Sequence, residues 1–141
     1  MKEEVYEITD HTADLGVRVY GNSLKELFSN TGFAFFDLLV DLGDVREKNT
    51  FCIEITGDDL QDLMVNFLRE LIYLHYVKGY IFKRFETVCV SNGKVLQIKA
   101  FGEDIDVHRH IIKDEIKAIT YHNLMIEEEG NSWIANMIFD V

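Results

Sequence analysis

Val17-Arg18-Val19-Tyr20-Gly21-Asn22-Ser23-Leu24-Lys25-Glu26-Leu27 changes its period partway along. Val17 and Val19 alternate with Arg18 and Tyr20, the period-two pattern of a half-buried strand. Gly21 and Asn22 turn the chain. Ser23 and Glu26 then form a Ser-x-x-Glu capping box, in which hydroxyl and carboxylate satisfy free amides at a helix start. Leu24, Leu27, Phe28, Thr31, Phe35 and Leu38 recur at helical spacing and supply an apolar stripe. The same order returns in Ile53-Glu54-Ile55-Thr56-Gly57-Asp58-Asp59-Leu60-Gln61-Asp62-Leu63, with Asp59 as the N-cap. Two strand-turn-helix units fit an internal duplication, and they also fit a common way of joining a strand to a helix. Either origin gives an α+β fold with two helices packed on antiparallel-rich sheet.

Outward from these units, Val5–Ile8 and Phe51–Ile55 alternate as strands, and a second helix runs from about Leu60 to Tyr76, apolar on most sides and expected to be central. The second half reads as strands at Ile81–Val90, Val95–Gly102, a short piece near Ile105–Val107, Ile116–Glu127 and Ser132–Phe139. Ser91-Asn92-Gly93 is a hairpin turn. With no proline and no low-complexity run, nothing reads as a linker, so residues 1–141 are expected to form one domain.

No stretch approaches the roughly 20 apolar residues of a membrane span. Met1–Glu4 is charged and resembles neither a signal nor a transit peptide, so a cytoplasmic location without membrane attachment is expected. Cys52 and Cys89 sit among alternating apolar residues outside any paired-cysteine motif and are expected to be buried, reduced thiols. Twenty-five acidic against fourteen basic residues give a charge of −11, which argues against gripping a nucleic-acid backbone directly. That charge suits a carboxylate-built cation site, although it also serves solubility.

Three places could carry chemistry. In Asp10-His11-Thr12-Ala13-Asp14, Asp10 and Thr12 are natural turn formers, whereas Asp14 opens an alternating strand where a carboxylate is either solvated or paired with a cation. Around Asp106-Val107-His108-Arg109-His110, the two histidines would share a face in an extended segment and could pair on zinc, though surface or hydrogen-bonded histidines are the plainer reading. Lys113 and Lys117 either balance neighbouring acids or meet a phosphate. At the end of the sequence, Asp140 and the Val141 main-chain oxygens would offer hard ligands if the last strand were anchored. Nucleophile elbow, phosphate-binding glycine loop and HExxH are all missing.

Asp10-His11-Thr12-Ala13-Asp14-Leu15-Gly16, Gly57-Asp58-Asp59-Leu60, Glu115-Ile116-Lys117-Ala118-Ile119-Thr120-Tyr121-His122 and Phe139-Asp140-Val141 together resemble the archease family over essentially the whole chain. The resemblance implies a non-enzymatic accessory protein in tRNA processing. Such a protein promotes guanylylation and multiple turnover of an RtcB-type tRNA-splicing RNA ligase, and meets RNA only through that ligase. It also implies a divalent cation (calcium, magnesium or manganese) on Asp14, Asp140 and Val141, with Lys117 and His11 serving activation and His122 a lesser passenger. Two other functions stay open: a chaperone or modulator of nucleic-acid-processing proteins, and a small metal-dependent hydrolase using Asp14, Asp140 and His11.

Overall fold

Gly21 and Gly57 occupy matching positions. A β-carbon added to either would fall 2.6 Å from the Leu27 amide nitrogen or 2.5 Å from that of Leu63. Each glycine therefore lets a strand end press against the first turn of the helix that follows. The match extends further. Ser23 accepts from the Glu26 amide at 3.1 Å and Asp59 from the Asp62 amide at 2.8 Å. Asn30 donates to the Tyr20 carbonyl at 2.7 Å and Asn66 to that of Thr56 at 2.9 Å. The repeat read in the sequence is thus a repeated geometry, and it continues one helical turn beyond the aligned residues.

The computed structural model describes residues 5–141, and the charged lead-in Met1–Glu4 lies outside them. Strands β1 (Tyr6–Asp10) and β2 (Leu15–Gly21) lead to α1 (Leu24–Leu39) and a 3-10 turn at Leu42–Asp44. β3 (Asn49–Thr56), α2 (Leu60–Tyr76), β4 (Tyr80–Ser91), β5 (Val95–Asp104), β6 (Ala118–Glu129) and β7 (Ser132–Asp140) follow. The strands form two antiparallel sheets, ordered β1-β2-β7-β6 and β3-β5-β4. α1 packs on β2 and β4, and α2 on β6, β3 and β4, so both helices touch both sheets. Aromatic rings fill the space between. Phe36 meets Phe35, Phe82 and His75 edge-on at centroid distances of 5.0, 5.4 and 5.8 Å. The α+β reading, the two helices and the Asn92-Gly93 hairpin turn are all present, the last with both residues at positive φ.

The structure corrects four details. α2 buries Leu63, Met64, Phe67 and Leu71 but leaves an exposed edge that includes Tyr73 and Tyr76, so it is no more central than α1. Cys52 is exposed and Cys89 only half-buried. Alternation gives the reason for Cys52: Ile53 and Ile55 take the core side of β3, which sends Cys52 to the outer face. Residues 105–107 form no strand, because the Asp106 carbonyl accepts the amides of Arg109 and His110 and curls the chain. β6 begins at Ala118 rather than Ile116. The Ile116 amide instead donates to the Tyr76 hydroxyl at 2.9 Å.

Candidate functional site

The site starts from β2 and β7, which hold seven consecutive pairs from Leu15↔Phe139 to Gly21↔Trp133. Leu15, Val17 and Val19 face the core with Phe139, Met137 and Ala135, so Gly16 and Arg18 share the outer face with Ile138 and Asn136. Asp14 precedes the first pair and Asp140 follows it. Both are exposed, and both stand at one end of the sheet, where facing residues of an antiparallel pair lie about 5 Å apart. Neither carboxylate is engaged by another described residue.

Lys117 joins the same end. Its amide donates to the Asp140 carbonyl at 2.7 Å, which carries the β6 pairing one step beyond Ala118↔Asp140 and sets Lys117 beside Val141. The Lys117 ammonium is exposed and unengaged among the described residues. His11 is exposed in the β1–β2 turn. That turn is built as the residue types suggest, since Asp10 Oδ1 accepts from the Thr12 amide at 3.2 Å and its hydroxyl at 3.1 Å. The chain thus gathers Asp14, Asp140, Val141 and Lys117 at one sheet end with His11 on the adjacent turn. Two carboxylates and main-chain oxygens are a hard-donor set that fits calcium, magnesium or manganese. Among the described residues, no three His, Cys, Asp or Glu side chains converge as a metal cluster.

Both edge strands are irregular beside this end. In β1, Ile8 pairs with Val17 and Asp10 with Gly16, leaving Thr9 as an extra residue. In β6, Thr120 pairs with Ile138 and Met125 with Asn136, so Tyr121, His122, Asn123 and Leu124 stand opposite Met137 alone. Such bulges bend edges away from the ladder and concentrate next to functional sites. Between them lies a cleft of about 410 Å³, lined by Asp10, Asp14, Arg18, Asn123, Asn136 and Ile138 among others. Arg18 Nε donates to Asn136 Oδ1 at 2.7 Å, and Asn123 sits in the left-handed region at φ 57°. Tyr121 anchors the bulge to α2 through a 2.6 Å bond to Asp62, with Arg69 over its ring at 5.6 Å. That bond holds the Asp62 carboxyl below the usual range and pushes the Tyr121 phenol up. Sequence reading missed Arg18, Asn123 and Asn136. Asparagine's tolerance of positive φ was a faint sign for one of them.

The two histidines of the second cluster separate. His108 is exposed, whereas the His110 ring is fully buried, its Nδ1 accepting the Asp106 amide at 2.8 Å. Nε2 therefore carries the hydrogen given to Glu103 at 3.0 Å. Because the segment curls instead of extending, no zinc pair forms there. Glu103 also takes a bidentate Arg109 guanidinium at 2.5 and 3.0 Å and the Arg46 amide at 2.7 Å. Arg109, then the Arg46 amide and His110, hold its carboxyl down at about 2. This network fastens the loops around Arg46 and Arg109 to β5.

No helix among the described residues is long and apolar enough to cross a membrane. The model of the Archease protein family (MTH1598/TM1083) matches residues 6–141. Protein archease of Pyrococcus abyssi is 40% identical over 139 residues, covering 96% of this chain and 98% of that protein. That of Sulfurisphaera tokodaii is 32% identical at the same coverage. The solution structure of Methanobacterium thermoautotrophicum protein 1598 superimposes with a TM-score of 0.79 at 31% identity, covering 97% of this chain and 99% of that one. A Thermotoga maritima archease, described as a possible chaperone, shares the fold with a TM-score of 0.59 at 22% identity, covering 100% and 98% of the two chains. Motifs, topology and full-length similarity agree, and this chain belongs to the archease family.

Proposed function

We propose that this chain is an accessory protein that activates an RtcB-type tRNA-splicing RNA ligase, promoting guanylylation and repeated turnover, with a divalent cation on Asp14, Asp140 and the Val141 carboxylate or carbonyl. Family membership supports the reading, and one observation carries it. The Leu15↔Phe139 pair brings residues from distant parts of the sequence to a common sheet end. A bound calcium, magnesium or manganese ion would supply positive charge where phosphate oxygens meet the two proteins. Lys117, held by its own main chain on Asp140, extends a compact point charge toward the same phosphate. His11 sits on the adjacent turn, placed to exchange a proton or a hydrogen bond at its ring nitrogens. The charge of −11 favours contact with the electropositive surroundings of an RNA cleft, so RNA is met through the ligase.

The test is guanylylation of purified ligase with this chain below equal stoichiometry. Acceleration beyond one event per added molecule is expected, and an unchanged rate would remove the reading. The description of the Thermotoga maritima relative as a possible chaperone, together with the exposed Tyr73, Tyr76 and Val77 at the end of α2, favours a second reading, a chaperone for nucleic-acid-processing proteins. It predicts protection from aggregation without acceleration.

A further inference from the structure

The two halves of the repeat differ in one respect. β2 is paired on both sides, by β1 and β7, whereas its counterpart β3 is paired by β5 alone. The sheets otherwise match, since in each the second strand of a hairpin, β7 or β5, lies next to the repeated strand. The place beside β3 that corresponds to β1 holds no strand among the described residues. Backbone polarity follows the same plan. The Tyr20 amide donates toward β1, to the Val5 carbonyl at 2.9 Å, and Tyr20 aligns with Thr56. Gly57, one residue on, donates the other way, to the Lys94 carbonyl just before β5 at 2.9 Å. Strand alternation then directs the amides and carbonyls of Thr50, Cys52 and Glu54 away from β5.

The remaining sheet edges are blunted. β1, β6 and β4 all break register with their neighbours, and α1 closes β4, where the Thr87 amide donates to the Ser29 hydroxyl at 3.0 Å. β3 keeps unbroken register with β5 over its eight residues, and Thr50, Cys52 and Glu54 are exposed along it. An open, regular edge of this kind is a template for another strand.

We infer that β3 pairs antiparallel with β3 of a second copy of this chain, centred on Phe51. This register sets Lys48, exposed and engaged by no other described residue, opposite Glu54 of the second copy, and the two-fold axis repeats the pair. Centring on Cys52 would set each of them opposite a threonine, and centring on Glu54 would bring like charges face to face. The contact has a precedent inside the fold. Arg18, which aligns with Glu54, faces Glu7 across β1 and β2 as an ion pair at 3.5 Å. None of Asp14, Asp140, Val141, Lys117 and His11 lies on β3, so the inference goes beyond the activator reading.

The experiment is sedimentation velocity of the full chain from about 10 µM to 1 mM, with amide hydrogen exchange on the same samples. A monomer–dimer equilibrium is expected, with exchange at the Thr50, Cys52 and Glu54 amides slowing as concentration rises. Lys48→Glu or Glu54→Lys places like charges together twice across the two-fold. Each should weaken association about tenfold or more at an unchanged melting temperature, and the double swap should restore it. A chain monomeric up to about 1 mM would overturn the self-pairing and leave the edge to another protein's strand. Dimers that leave exchange at those three amides unchanged, or a double swap no tighter than the single variants, would overturn this edge and register.

Discussion

Leu15 faces Phe139 across β2 and β7, and each is 1% exposed. Burial on one side fixes the register, because a one-residue slip would turn both side chains into water. Asp14 and Asp140 are the residues just outside that pair, so the packing of the core also sets the spacing of the two carboxylates.

Asp14→Asn is therefore expected to weaken calcium binding at least about tenfold while changing stability by less than about 0.5 kcal/mol, since the side chain is exposed. Titration calorimetry beside a thermal melt checks both halves. A large loss of melting temperature would show that Asp14 serves the fold.

Lys117→Ala separates activation from binding. The main-chain bond to Asp140 survives the substitution, so cation affinity should hold, while ligase guanylylation should fall by about a hundredfold with the loss of the proposed activating charge. Single-turnover guanylylation at saturating calcium is the measurement. Equal losses in affinity and rate would instead make Lys117 part of the cation site.

Much of this was legible from the chain. Ser23, Glu26 and Asp59 announce helix starts through local chemistry, and strand alternation around Val17 and Val19 gives the inward face. The terminal strand's partner was not legible, because pairing β2 with β7 depends on contacts between distant residues that no local pattern encodes. Alternation around Cys52 showed two faces without saying which was inner. The β6 bulge at Tyr121–Leu124 was hidden for the same kind of reason: a bulge is a mismatch of two strands, and each strand alone still looks regular.

Gly21→Ala and Gly57→Ala test the repeated geometry. In each, the new methyl meets helix backbone rather than a flexible side chain, so each should cost about 2–3 kcal/mol, and by similar amounts. Urea denaturation gives the values. A neutral effect at one glycine with a large effect at the other would mean that the two units are not mechanically equivalent.

Glu103 predicts an acid limb of stability. Its carboxyl is held at about 2 against an ordinary 4.5, chiefly by the Arg109 guanidinium. A carboxyl lowered in the folded state stabilises fully above the unfolded value, and that contribution fades as pH falls from about 4.5 toward 2. Glu103→Gln should cost about 2–3 kcal/mol at neutral pH, with the gap to the parent closing across that window. A gap independent of pH would contradict the assignment.

In the proposed site, residues from the first hairpin and the last strand share one cation. Crystals soaked in manganese and recorded at its absorption edge test it most directly. An anomalous peak is expected within about 2.5 Å of oxygens from Asp14, Asp140 and Val141. A peak seated elsewhere, or a bound ion that leaves Asp14 untouched, would contradict it.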